Sequence, residues 1–167
     1  MYYLNIIFAN TLFLTNIADT NLYNFYMFAT SISLDAIHSF SKNTIADHIG
    51  IEFLEIGTDY IVAKMPVDHR THQPFGILHG GASVVLAETL GSIASFLCLK
   101  DRDNQHAVGL EINANHLRPA KNGFVYGRVT PIHVGRTTHI WDIKITNEEN
   151  KLVCISRLTV AIVDANR

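Results

Sequence analysis

The chain has 167 residues, of which 48% are apolar and 17% charged. That suits one domain with a sizeable core and excludes a disordered chain. Thirteen Lys+Arg against fifteen Asp+Glu leave a net charge of −2, which provides no broad positive field for nucleic acid or an anionic membrane.

Residues 1–28 hold Tyr2, Tyr3, Phe8, Phe13, Tyr23, Phe25, Tyr26 and Phe28, and no Lys or Arg occurs before Lys42. A secretory signal needs a positive n-region, which is missing. Asn5, Asn10, Asn16, Asp19, Asn21 and Asn24 interrupt any membrane span. Residues 1–26 therefore read as an extension without function. It is either a start assigned too early, with Met27 as the true start, or a marginally ordered tail. Residues 27–167 read as a single domain. Ser33 is placed to cap a short helix over Leu34–Phe40.

Ile51–Ile56 and Tyr60–Val67 read as two strands around the break Gly57-Thr58-Asp59. A polar loop follows, from Asp68 to Gly76. From Gly80 to Leu99 the chain is apolar or small on nearly every side, which predicts a buried helix. Lys100-Asp101-Arg102-Asp103-Asn104 ends it. Four strands are expected at His106–Leu117, Phe124–Val134, Thr137–Thr146 and Leu152–Val163. Turn signals lie between them at Lys121-Asn122-Gly123, Gly135-Arg136 and Asn147-Glu148-Glu149-Asn150. One buried helix with five or six antiparallel strands predicts an α+β fold, the sheet wrapped on the helix. One sheet covers only part of such a helix, so at least a dimer is expected. Gly81–Leu99 has the length of a membrane span, but Glu88, Ser83, Thr89, Ser92 and Ser95 weaken that reading, and no membrane partner is expected. Cys98 and Cys154 are too few for a disulfide framework and lie in no CxxC, so a reducing, cytoplasmic setting is the expectation.

Glu88 is the only charged residue between His79 and Lys100. A glutamate in an apolar helix costs several kcal/mol unless paired, hydrogen-bonded or protonated. Either it reaches a water-lined edge, or an arginine from a strand neutralises it, or it is held dry as a base or nucleophile. Val84, Glu88, Ser92 and Ser95 share its face by helical spacing. Gly80 and Gly81 open the helix, where free N–H groups at the positive end of the dipole can hold an incipient oxyanion; the pair also reads as a plain tight turn. His79 reads as a structural partner that fixes the loop, and the Gln73 amide can donate to a carbonyl if the loop folds over the helix start. Alternation puts Val108, Leu110, Ile112, Ala114 and His116 on one face, expected to look at the helix. His116 then either satisfies a core partner or lines a pocket. His69 and His72 have i, i+3 spacing but no further Cys/His cluster, so no metal site is expected. Arg118, Arg136 and Lys121 read as solvated charges, or as contacts for an anionic tail such as the phosphates of a nucleotide carrier.

The run Gln73-Pro74-Phe75-Gly76-Ile77-Leu78-His79-Gly80-Gly81-Ala82-Ser83-Val84-Val85-Leu86-Ala87-Glu88 resembles the signature of hotdog-fold acyl-CoA thioesterases. It is most similar to the branch that hydrolyses aryl-CoA thioesters, notably 1,4-dihydroxy-2-naphthoyl-CoA in menaquinone or phylloquinone synthesis. A sister branch clears wrongly loaded aryl carrier proteins. The similarity continues through Gly109–His116 and Ser156–Thr159, spans Ile49 to Val163, and leaves residues 1–26 unmatched. By resemblance, Glu88 matches the nucleophile or general base, and Gly80 the backbone donor to the thioester carbonyl. Gln73 and His79 match the residues that position the carbonyl and the leaving thiolate. Ser92 and His116 match the acyl-pocket lining contributed across a dimer interface. Glu at 88, where many relatives carry Asp, favours the aryl-CoA branch. The resemblance implies a hotdog dimer, usually paired into a tetramer, with an acyl-CoA substrate and no metal or redox cofactor. Three competing readings remain: a hydratase of the same fold, for which the Gln73–His79 loop supplies no carboxylate; an acyl-CoA sensor, whose DNA contact an N-terminal segment without Lys or Arg before Lys42 would not support; and a structural subunit.

Overall fold

The computed structural model describes residues 32–165. The readings made on residues 1–26 and Met27 lie outside them.

Helix α1 spans Leu34–Ser41, and the Ser33 hydroxyl accepts from the Ala36 N–H at 3.2 Å, the cap its sequence position predicts. A five-residue helix α2, Ile45–Ile49, follows and ends on Gly50 at φ 77°. Strands β1 (Glu52–Ile56) and β2 (Ile61–Pro66) form an antiparallel pair. Helix α3 runs Gly80–Leu97, ending two residues short of the expected limit. Strands β3 (Gln105–His116), β4 (Phe124–Val134), β5 (Thr138–Asn147) and β6 (Leu152–Asp164) complete the chain. All pairs are antiparallel, in a six-stranded sheet of order β1-β2-β4-β5-β6-β3. Strands β1 and β3 are therefore its edges, and α3 packs on its inner face.

The core forms where α3 meets the sheet. Leu86, Ala87, Leu90 and Ala94 have no exposed surface, and neither do Ala63, Met65, Val125, Val129, Trp141, Ile143, Ile145 and Leu158 from the strands. Burying each large side chain contributes about 1.5–3 kcal/mol. The approach is close enough to demand glycine. A β-carbon on Gly127 would lie 2.5 Å from Leu90 Cδ1, and one on Gly91 would collide with Leu158. Ser95, on the face of Glu88 by spacing, instead turns under the helix and accepts from buried Trp141 Nε1 at 2.7 Å. Gly80–Leu97 is long and apolar enough to cross a bilayer, yet eight of its residues are buried against the protein's own sheet side.

One expectation fails on β3. Val108 is 47% and Leu110 64% exposed, so the row that includes them does not look at the helix as a unit. The register with β6 shifts between Gly109 and Glu111, which makes Leu110 an extra, bulged residue. The bulge reverses the phase. Ala107 before it and Ile112 and Ala114 after it pack on the core.

Candidate active site

The loop before α3 is built from its own hydrogen bonds. The Asp68 carboxylate takes the Arg70 backbone N–H at 2.9 Å and Arg70 Nη2 at 2.7 Å. The Arg70 side chain holds that carboxyl down at about 2. Buried Thr71 donates its hydroxyl to Pro66 O at 2.7 Å. Gln73 N–H to Ile77 O and Gly76 N–H to Gln73 O, both 2.9 Å, close a tight turn that needs Gly76 at φ 71°. Leu78 N–H to Ala120 O at 2.8 Å docks this turn on the β3–β4 connection, and His79 N–H to Thr71 O, also 2.8 Å, closes the loop on itself. The turn projects Phe75, which is 88% exposed. Gln73 Oε1 accepts from the Phe75 N–H at 2.6 Å, which leaves the side-chain NH2 group free to donate outward.

His79 is the N-cap of α3, and its Nδ1 accepts from the Gly81 N–H at 2.8 Å. This corrects the reading of Gly81 as a substrate donor, because the cap already occupies its N–H. The Gly80 N–H carries no such bond among the described residues and stands at the positive end of the helix dipole. A β-carbon on Gly80 would lie 2.7 Å from His116 Nε2, so the imidazole lies directly against the helix start. His116 is exposed and does not enter the core. Gln73, Gly80, Ser83, His116 and Arg118 surround one cavity of about 220 Å3. Arg118 Nη1 is anchored on Leu152 O at 2.6 Å.

Glu88 lies elsewhere. Eight residues beyond Gly80, it is about 12 Å farther along the helix axis. Glu88 and Ser92 line a separate cavity of about 270 Å3 beneath α1 and α2. Its side chain has no ion-pair or hydrogen-bond partner among the described residues, so no arginine neutralises it. The carboxylate lies over the β3 bulge, where a β-carbon on Gly109 would come within 2.6 Å of Glu88 Oε1. Glycine at this bulge is what makes room for the acid.

Arg136 belongs to neither cavity. It lies with Lys100, Gln105 and Thr137 along a cleft at the far end of α3. His139 lines the adjoining recess, 97% buried, its Nδ1 without a hydrogen-bond partner among the described residues and its imidazole pushed below the ordinary range by burial. The alternation His139, Trp141, Ile143, Ile145 along β5 carries the signal for its burial. Phe40 and Ile45 on the Glu88 cavity had no such signal, because only the fold brings α1 and α2 over α3. His69 and His72 separate: His69 stays exposed beside Asp68, while His72 Nε2 meets Lys121 O at 3.2 Å. Among the described residues no three His, Cys, Asp or Glu side chains converge as metal ligands.

The arrangement supplies a donor pair for a carbonyl oxygen at Gly80 and Gln73, and an unpaired carboxylate beside an apolar recess. Residues 75–154 match the description of the thioesterase superfamily. The chain is 49% identical over 132 residues to the 1,4-dihydroxy-2-naphthoyl-CoA hydrolase of Escherichia coli, covering 79% of this chain and 96% of that one. It is 48% identical over 132 residues to the proofreading thioesterase EntH of Cronobacter turicensis, covering 79% of this chain and 95% of that one. A crystal structure of a mutant thioesterase from Pseudomonas aeruginosa superposes with a TM-score of 0.80 at 49% identity, covering 83% of this chain and 99% of that chain. A thioesterase from Haemophilus influenzae gives 0.80 at 48%, covering 86% and 97%. The helix wrapped in an antiparallel sheet, the loop that opens it and these matches together establish that the chain belongs to the thioesterase superfamily, with the hotdog fold, and is a hydrolase of thioesters.

Proposed function

We propose that the chain hydrolyses an aryl-CoA thioester, and that its substrate is 1,4-dihydroxy-2-naphthoyl-CoA, giving the free acid and CoA in menaquinone or phylloquinone synthesis. The observation that carries the chemistry is the pairing of an open helix-start donor at Gly80 with an unpartnered carboxylate at Glu88. A thioester needs its carbonyl polarised and its carbon attacked, and these two groups match the two needs. The relative named a 1,4-dihydroxy-2-naphthoyl-CoA hydrolase supports the choice of acyl group.

Within one chain the two groups are about 12 Å apart along the helix, too far for one carbonyl. A second copy resolves this. Strand β3 is a sheet edge with exposed Val108 and Leu110, a surface that favours pairing with another strand. Antiparallel pairing of two β3 strands centred near Ile112 sets His116 of one copy beside Gly109 of the other. That carries the Gly80–His116 corner of one copy to the Glu88 cavity of its partner. The working unit is then a dimer, or a tetramer made of two.

The Gly80 N–H and the Gln73 amide hold the carbonyl oxygen. Glu88 either attacks the carbonyl carbon or takes a proton from an attacking water. In the first route a Glu88–acyl anhydride forms as the C–S bond breaks and the thiolate leaves; water then opens the anhydride. In the second, hydroxide adds and the thiolate leaves from the tetrahedral intermediate. His79 orients the helix start, Ser92 and His116 line the acyl group, and Arg118, on the rim of the Gly80 cavity, meets the phosphates of the carrier. Single turnover in heavy-oxygen water separates the routes, since label in Glu88 requires the anhydride.

A second reading has support of its own: the proofreading thioesterase relative at 48% identity favours an aryl group on a carrier protein. Thiol release from dihydroxynaphthoyl-, hydroxybenzoyl- and straight-chain acyl-CoA tests both. Fast turnover of one aryl-CoA that is lost in Glu88→Ala supports the first reading. Turnover only when the aryl group is on a carrier protein supports the second.

A further inference from the structure

The Glu88 cavity has a wall that the thioesterase signature does not include. Phe40, Thr44 and Ile45 close it opposite Glu88 and Ser92. Phe40 is 60% and Ile45 59% exposed. Large apolar side chains left in water on a cavity rim mark a surface that an apolar partner covers. Here the rim is not a loose tail. Ile37, Ala46 and Ile49 anchor α1 and α2 in the core at 1%, 4% and 8% exposure. His38 Nε2 lies 3.0 Å from Phe53 O, and the Phe40 ring meets Phe96 edge-on at 5.8 Å. The segment therefore holds Phe40 and Ile45 in fixed positions over the carboxylate.

The cavity also has a telling size. At about 270 Å3 it falls just below the roughly 300 Å3 at which pockets for drug-sized ligands begin. The recess has room for an aromatic ring. Its one carboxylate, Glu88, is on the α3 side, while the large apolar side chains Phe40 and Ile45 are on the opposite wall beside Ser41 and Thr44, so a ring enters with its reacting end toward α3 and its apolar face toward Phe40.

We propose that Phe40 and Ile45 are the residues that select the acyl group: the ring of an aryl thioester stacks on Phe40 and its far edge rests on Ile45. This rests on the reading of Glu88 as the group that acts on the thioester. Stacking on Phe40 is the same in ground and transition state, so its loss raises KM and leaves kcat in place. A straight acyl chain has no ring to stack and loses less.

The test uses the full chain with Phe40→Ala and Ile45→Trp. Both sites are exposed, so melting temperatures are expected to stay within a few degrees of wild type. Phe40→Ala is expected to raise KM for an aryl-CoA about tenfold and to change straight-chain acyl-CoA by less than about threefold. Ile45→Trp fills the recess and is expected to block a two-ring acyl group while acetyl-CoA turnover survives. Binding of 1-hydroxy-2-naphthoate, read by its own fluorescence, gives a measure that needs no catalysis, and Phe40→Ala is expected to weaken it about tenfold. Unchanged aryl-to-alkyl preference in both variants, with wild-type turnover intact, overturns the proposal. If the wild type turns over no thioester yet Phe40→Ala still loses naphthoate binding, the selecting wall stands and the reading of Glu88 falls. If naphthoate binds neither protein, or both equally, the wall falls.

Discussion

The two sides of helix α3 teach different lessons. The side toward the sheet carries Leu86, Leu90, Gly91 and Ala94 at full burial, and even a methyl group has no room at Gly91 or Gly127. The other side carries Glu88, Ser92 and Ile93, half-buried around an open recess. One helix thus serves as the packing centre of the fold and as the carrier of its acid. The first side is governed by volume and the second by charge and access. Substitutions on the two sides should separate stability from activity.

The sharpest break is expected at Glu88. Glu88→Gln keeps the shape and removes the charge, so thiol release should fall about 10²–10⁴-fold while urea midpoints stay near wild type. On the sheet side, Leu90→Ala should cost about 2–5 kcal/mol in urea unfolding, and whatever protein remains folded should retain its kcat. A loss of kcat per folded molecule in Leu90→Ala would blur the two sides into one. Gly109→Ala sharpens the comparison from β3. Its new methyl group must displace the Glu88 carboxylate, and a misplacement of that kind can cost about 10²-fold in kcat. Stability should change little, because the new methyl group meets only the Glu88 side chain on the open side of α3 and no core residue.

The smallest effect concerns pH. Burial lowers the His139 imidazole below its ordinary 6.5. Unfolded chains therefore bind more protons than folded ones once the pH drops under about 6.5, and stability falls with pH from there until the folded imidazole also titrates. His133 nearby adds to this, and Lys100 and Arg136 border the same cleft. His139→Gln should flatten the fall in melting temperature between about pH 7.5 and about pH 5.5. An equal slope in both proteins would remove His139 from the account.

Much of this was legible in the residues. The strands fall within one or two positions of their expected bounds because turn residues such as Asn122-Gly123 and Asn150 mark their ends. Helix α3 announced itself by length and by the lack of a polar face. Glu88 was legible because a lone charge in an apolar helix demands a reason. The failures share a physical cause: they depend on contacts between segments. Alternation has no means of marking the inserted residue Leu110, so Val108 and Leu110 were placed inward when the bulge turns them out. Helix α2 is shorter than two turns and has no periodicity to detect. Gly80 and Gly81 look equivalent in the sequence until His79 folds back and takes one of the two N–H groups.

In the proposed dimer the open side of α3 is completed by a second copy. Mixing Glu88→Gln and Gln73→Ala chains, after unfolding and refolding together, tests it most directly. If Gln73 and Gly80 of one copy serve Glu88 of the other, each mixed dimer holds one intact site, and thiol release should return to roughly a quarter of the wild-type level. A refolded mixture no more active than the mean of the two variants alone would contradict the shared site.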